Sequence, residues 1–345
     1  MMKWLKPLGA ACFLALLCLN PGHAAYCALD ALRTWALSIA PALLPFLIAS
    51  PALTCPEVAS LLSRFTGSFI RLFRLPVHST GALLIALLSG SPGGAAALAG
   101  IRRHPSDPPG AFVRAAWMAS GASPAFLISG IASGMLNAPQ TGMLLLRSQL
   151  CALLLSGVLL RSCGRERPAL LNGKKQASQG AVLCAVQALL CIAGYMTLFS
   201  VLAGQLCLLL GPSARTPLLA VLELAGGCRA LAALPAALEL KLPLISAAAC
   251  LGGVSVCAQC LSFLEPLGIN RMEYAAGKLV QSALCALLTF LQLRMPPLSP
   301  EPQLACLFIL TLLLALLALR LRLRRRSSPA AKRTAASDAA SETAA

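Results

Sequence analysis

Long runs of apolar and small residues, parted by short polar gaps, make up most of this chain. Several runs reach about 18 residues, the length that a bilayer asks of a helix. Leu8–Leu19 is the first apolar core, and Asp30–Ser50 carries WALSIAPALLPFLIAS, where Pro41 and Pro45 predict a kink or a break. Gly81–Ile101, Ala111–Leu136, Gln140–Leu160, Ala181–Leu210, Arg215–Leu240, Leu242–Leu264, Arg271–Arg294 and Gln303–Leu319 follow. Pro56–Arg74 differs in kind. Val58, Leu61, Leu62, Phe65, Phe69, Leu72 and Phe73 recur at helical spacing opposite Ser60, Arg64, Gly67, Ser68 and Arg71. That pattern predicts an amphipathic helix lying in the membrane interface, its arginines within reach of headgroup phosphates.

The runs are not all intact. Gly81–Ile101 reads GALLIALLSGSPGGAAALAGI, and no helix passes undisturbed through Ser89, Gly90, Ser91, Pro92, Gly93 and Gly94. Proline lacks a donor and clashes with the preceding turn, and each glycine costs about 1 kcal/mol relative to alanine. A break facing lipid would strand backbone groups, so it must be packed in protein or line a watery cavity. Ala111–Leu136 is interrupted in the same way around Ser120, Ser123 and Pro124, and Leu242–Leu264 at Gly252 and Gly253, while Arg215–Leu240 holds Glu223 directly before Gly226 and Gly227.

These interruptions suggest two related halves. Leu83–Ala96 and Leu244–Ala258 each read as small and apolar residues, a glycine-centred break, then a small-residue exit. Paired broken helices are the sequence sign of a carrier's solute site. The expected fold is an all-α polytopic membrane protein of about 8–10 membrane segments in two pseudo-repeated halves, each with a broken or re-entrant helix. The boundaries are 1–25, an N-terminal hydrophobic helix; 26–160, the first half; 161–180, a basic linker; 181–320, the second half; and 321–345, a basic stop and disordered tail. The first segment reads as an uncleaved anchor, with cleavage after Ala24 or Ala25 as the alternative.

Composition supports the membrane class: 58% of the 345 residues are hydrophobic and 11% charged, with mean hydropathy +0.80. A soluble domain would carry about a quarter charged residues. The net charge is +17, and basic residues cluster in short gaps at Arg102-Arg103, Arg161–Lys175 and Arg320–Arg326. That is the positive-inside pattern, which places the tail on the cytoplasmic face and argues against nucleic acid as a partner. Most of the 15 cysteines sit in apolar runs, where they act as small hydrophobes. Cys257-Ala-Gln-Cys260 has no second pair at zinc-finger spacing, so no metal or cofactor is expected. HExxH, GxSxG and P-loop patterns are missing, which argues against an enzyme or a nucleotide-driven pump.

Five segments in order carry a resemblance: LRTWALSIAPALLPFLIAS (Leu32–Ser50), SGSPGGAA (Ser89–Ala96), ASPAFLISGIASGML (Ala122–Leu136), LELAGG (Leu222–Gly227) and GGVSVCAQ (Gly252–Gln259). Together they resemble the YlbJ-like (SpoVV-like) sporulation integral membrane proteins, with their nucleoside-recognition or Gate domain. The resemblance implies a multi-pass protein of the membranes around the developing spore that moves dipicolinic acid, alongside lipid, further copies or other sporulation membrane proteins. A nucleoside-type permease and a non-transporting scaffold are the alternatives. Ser91, Ala96, Ser120, Gly121, Gly226 and Cys257 stand where the family pattern has other residues.

A small anionic solute such as dipicolinate needs donors: freed amides at helix N-termini, hydroxyls and a cation. Ser89, Ser91, Ser120, Ser123 and Ser255 offer hydroxyls and Gln259 an amide. Gly90, Gly93, Gly94, Gly226, Gly227, Gly252 and Gly253 let backbone approach a ligand, with Pro92 and Pro124 setting the turns. Glu223, an acid within LLAVLELAGG, reads either as a coupling residue or as the ion-pair partner of Arg229. Arg114 and Arg147 are expected to snorkel to the interface.

Overall fold

The computed structural model describes residues 5–101, 103–164 and 180–294. Most of the basic linker, the Gln303–Leu319 run, the Arg320–Arg326 stop and the tail lie outside the described residues.

Fourteen α-helices and a few π and 3₁₀ turns form the described chain, and no strand appears among those residues. The protein is an all-α polytopic membrane protein. Five helical stretches are long and apolar enough to cross a membrane: Pro21–Thr54, Pro139–Leu159, Ala181–Leu210, Leu238–Leu267 and Arg271–Arg294. Pro7–Leu19, Thr80–Ser89 and Phe126–Met135 are shorter apolar helices.

Helix α1 (Leu5–Leu19) is followed by α2 (Pro21–Thr34), a π-helical turn (Trp35–Ile39) and α3 (Ala40–Thr54). Pro41 and Pro45 do not break this run; the wider π turn precedes them and the chain stays helical to Thr54. Helix α4 (Pro56–Phe73) is the amphipathic element. It buries Ala59, Ile70 and Phe73, and leaves Phe65, Phe69, Arg64 and Arg71 outside. Arg74 ends it in the left-handed conformation, and the amides of Arg74 and Leu75 bond back to Arg71 O and Ile70 O.

Two short helices, α5 (Thr80–Ser89) and α6 (Gly93–Ala99), fold back on one another as a hairpin. Helix α7 (Ala111–Met118) then leads through a helix-free break into the π-helix Phe126–Met135, and α8 (Gly142–Leu159) follows. The second half repeats this plan. After α9 (Ala181–Leu210), α10 (Pro212–Leu222) and α11 (Leu224–Ala232) make a second hairpin. Helices α12 (Leu238–Leu251) and α13 (Gly253–Leu264) form one broken helix, and α14 (Arg271–Arg294) closes the half.

This arrangement corrects the pairing read from the sequence. Leu83–Ala96 is a hairpin, whereas Leu244–Ala258 belongs to a helix interrupted without folding back. The hairpin α5–α6 corresponds to α10–α11, and the Ala111–Met135 segment to α12–α13. Helix α9 is unbroken at 30 residues, about 45 Å long, so it is tilted or extends beyond the hydrocarbon core. Helices α8 and α14 lie against each other between the halves, and α6 packs on α13 as α11 packs on the π-helix. The main core gathers Ile85, Leu98, Phe112, Trp117, Leu264 and Tyr274 from both halves.

Candidate functional site

Each hairpin tip docks on the break in its own half. Ser91 N–H donates to Gly121 O at 2.7 Å, and Gly90, at φ +72°, lies so close to Ser123 that a Cβ would overlap its amide. In the second half Gly253, at φ +66°, lies beneath Leu222 and Glu223; a Cβ there would stand 3.2 Å from Glu223 N. Neither glycine tolerates a side chain, for conformational and steric reasons together.

The groups freed by the breaks are answered by side chains of the unbroken spans. Gln149 on α8 donates to Ala122 O at 2.7 Å and accepts from Ala122 N–H at 3.1 Å. Gln281 on α14 donates to Trp117 O at 2.9 Å. Lys278 on α14 donates to Ser120 O and, at 2.5 Å, to Cys250 O. Irregular backbone at membrane depth is tolerated here because protein, not lipid, satisfies it.

Both tips and both breaks then meet at one small cavity. Ser91 comes from the first tip and Leu224 from the second; Ser120, Gly121 and Ala122 come from the first break; Cys250, Leu251 and Gly252 come from the second. Tyr274 and Lys278 close it from α14. The space is about 10 Å³, room for about one water. Tyr274 O–H donates to Ser120 Oγ at 2.7 Å, and Ser120 Oγ donates to Ala116 O at 2.5 Å. Ser91 Oγ is buried beside the thiol of Cys260, a weak partner, and bonds no oxygen or nitrogen among the described residues. Lys278 is 2% exposed and makes no ion pair among them.

The residues singled out from the sequence divide by position. Ser91, Ser120 and Gly252 line the cavity. Ser89 Oγ bonds back to Ile85 O at 2.8 Å, and Gly93 is pressed against that hydroxyl. Gly94 admits Ala86 and Ala119 O, while Gly227 admits Ala220, so that helices touch closely. Pro92 is buried at the first tip, and Ser123 Oγ accepts from Phe126 N–H at 3.2 Å beside Pro124. Ser255 and Gln259 bond to each other at 3.2 Å, buried in α13 away from the cavity. Glu223 is the N-cap of α11: its Oε1 accepts from Ala225 N–H at 3.0 Å and its Oε2 from Gly226 N–H. It forms no ion pair with Arg229 among the described residues. Arg114 does not snorkel. It is 3% exposed and its guanidinium holds Arg74 O, Pro109 O and Cys163 O at 2.7–3.0 Å.

A larger, apolar pocket of about 390 Å³ lies behind the first break, between α4, α5 and α8. Its polar side chains are already engaged, Gln149 with Ala122 and Thr66 with Thr80, so it offers an anion nothing. No cluster of three metal-ligating side chains occurs among the described residues, and their cysteines are free.

Sequence reasoning passed over Lys278. The signal was present: a lysine in EYAAGKLVQSALCALL interrupts an apolar span, where an ionisable residue is a functional hypothesis by default. Tyr274, one turn earlier on the same face, carries no such signal on its own.

Comparison with known proteins by family model, by sequence and by structure finds no match.

Proposed function

We propose that this chain is a membrane solute carrier of the YlbJ-like sporulation type, moving a small anionic metabolite such as dipicolinate across a membrane around the forespore, its tail on the cytoplasmic face. One observation carries the reading: two hairpin tips and two broken helices, one of each from either half, converge on a single small cavity that holds a buried lysine. Irregular backbone from both halves at one point is what alternating access needs, because rocking one half against the other then opens the same site to either side. A scaffold has no use for it.

The sign of the charge favours an anion over a nucleoside. The ionisable groups lining the cavity are an ammonium, a phenol and a thiol, with no carboxylate among them. The test is uptake of labelled dipicolinate into proteoliposomes carrying the purified chain, with uridine in parallel. Dipicolinate accumulation that requires the protein is the expected result. Uridine uptake alone would transfer the reading to a nucleoside permease, and flux of neither would refute a carrier for both.

A further inference from the structure

We propose that Lys278 is the carboxylate-binding group of this site, and that its ammonium also serves as the tie that a carboxylate undoes to let the two broken helices part. The inference rests on the carrier reading for the use of the cavity, and it adds the residue that recognises the ligand's carboxylate and the contact that its binding breaks.

The argument begins with the donors. An ammonium has three N–H groups. Two of them go to Ser120 O and Cys250 O, and the third has no partner among the described residues. Ser91 Oγ, in the same cavity wall, is also buried and has only the weak thiol of Cys260 beside it among the described residues. One free N–H of the ammonium and one hydroxyl held only by a thiol suit a ligand with at least two acceptor atoms. A carboxylate has two oxygens and four lone-pair sites, and it supplies the counter-charge that Lys278 lacks among the described residues. Tyr274 O–H, one helical turn from Lys278 and bonded to Ser120 Oγ, is within the same wall to turn toward the second oxygen.

Structural capping alone is a weaker account of this lysine. Ser120 O and Cys250 O stand at the carboxyl ends of α7 and α12, where a cation is favourable. Yet Gln149 and Gln281 do the same work on Ala122 and Trp117 without a charge. A full charge buried without a counter-ion is costly, and a glutamine would cap at lower cost. The charge has a use only if something charged meets it.

The geometry links binding to movement. The carbonyls of Ser120 and Cys250 belong to different halves and are joined through one Nζ. A cavity of about 10 Å³ does not admit a carboxylate unless the tips withdraw. A carboxylate offers a full charge where the carbonyls offer partial ones, so its arrival draws the ammonium away and releases one half from the other. Ligand entry and loss of the tie are one event.

The experiment uses the full-length purified chain and four carboxylates, acetate, benzoate, succinate and pyridine-2,6-dicarboxylate, with uridine as the neutral control. Calorimetry is expected to show carboxylate binding that Lys278→Gln weakens at least 100-fold and Lys278→Arg weakens less. Carboxylate affinity unchanged in Lys278→Gln, or no binding of any of the four to the wild-type chain, would overturn the proposal. A second measurement needs no variant: site-resolved maleimide labelling of Cys250, which lines the cavity. Saturating carboxylate is expected to speed labelling at least 5-fold, and an unchanged rate sinks the tie. These readouts are separate from flux. A chain that binds carboxylates through Lys278 without moving them keeps this inference and loses the carrier; dipicolinate uptake undiminished in Lys278→Gln does the reverse.

Discussion

The side-chain amide of Gln149 lies alongside the peptide of Ala122, giving one hydrogen bond and taking another, at 2.7 and 3.1 Å. The two residues are 27 positions apart, yet the glutamine acts as the neighbouring backbone that the broken helix lacks. Gln149→Leu leaves a buried N–H and a buried C=O unanswered, at about 1–3 kcal/mol each. The variant is expected to melt well below the wild-type chain in detergent, with Gln149→Glu, which keeps the acceptor and loses the donor, in between. Equal melting of Gln149→Leu and wild type would mean that water or lipid headgroups reach the break.

Gly277 sets how closely α14 approaches α7. A Cβ there would overlap Trp117 Nε1, which donates to Tyr274 O at 3.2 Å. Gly277→Ala is expected to destabilise by about 1–3 kcal/mol through overpacking. The smaller ring of Trp117→Phe should recover part of that loss, and a double-mutant cycle of melting temperatures measures the coupling. Strict additivity would show that the two helices separate without strain.

Glu223 is expected to behave as a helix cap. Glu223→Ala removes both acceptors from the amides of Ala225 and Gly226, a loss of about 1 kcal/mol. Glu223→Asp shortens the side chain and should recover part of it. Helix-resolved hydrogen exchange is the sensitive readout, with faster exchange in Leu224–Gly227 in the alanine variant. Unaltered exchange in that turn would leave the acid without a capping role.

Arg114 is a tie between loops. Its guanidinium holds carbonyls at Arg74, Pro109 and Cys163, three points far apart in sequence. Lysine has no fork to span them. Arg114→Lys is expected to cost about 3 kcal/mol, since hydrogen bonds from charged donors are worth about 1.5–3 kcal/mol each and at least one is lost. Limited proteolysis at the Pro105–Gly110 turn checks this, with faster cleavage expected in the variant.

Part of the site was readable in the chain. Ser-Gly-Ser-Pro-Gly-Gly and Leu-Gly-Gly interrupt apolar runs, and the structure has helix ends at both places. The pairing of the breaks was misread because small residues look alike whether a helix folds back or merely pauses. Whether α5 and α6 form a hairpin while α12 and α13 do not depends on what each packs against. Ser255, Gln259 and Glu223 drew notice as polar residues in apolar surroundings, and each is absorbed by a local hydrogen bond. Lys278 drew none, because its meaning comes from partners 28 and 158 positions away.

The sequence by itself determined the membrane class, the amphipathic α4 and the helix ends at Ser89–Gly93 and Gly252. Those are matters of local chemistry: hydropathy over a span's length, a face repeated at helical spacing, and glycine and proline that cannot sustain the backbone ladder. Only the tertiary structure decided that both tips and both breaks share one cavity, and that a buried lysine ties them. A carbonyl freed at membrane depth must find a donor in protein, and which donor reaches it is settled by how distant helices pack.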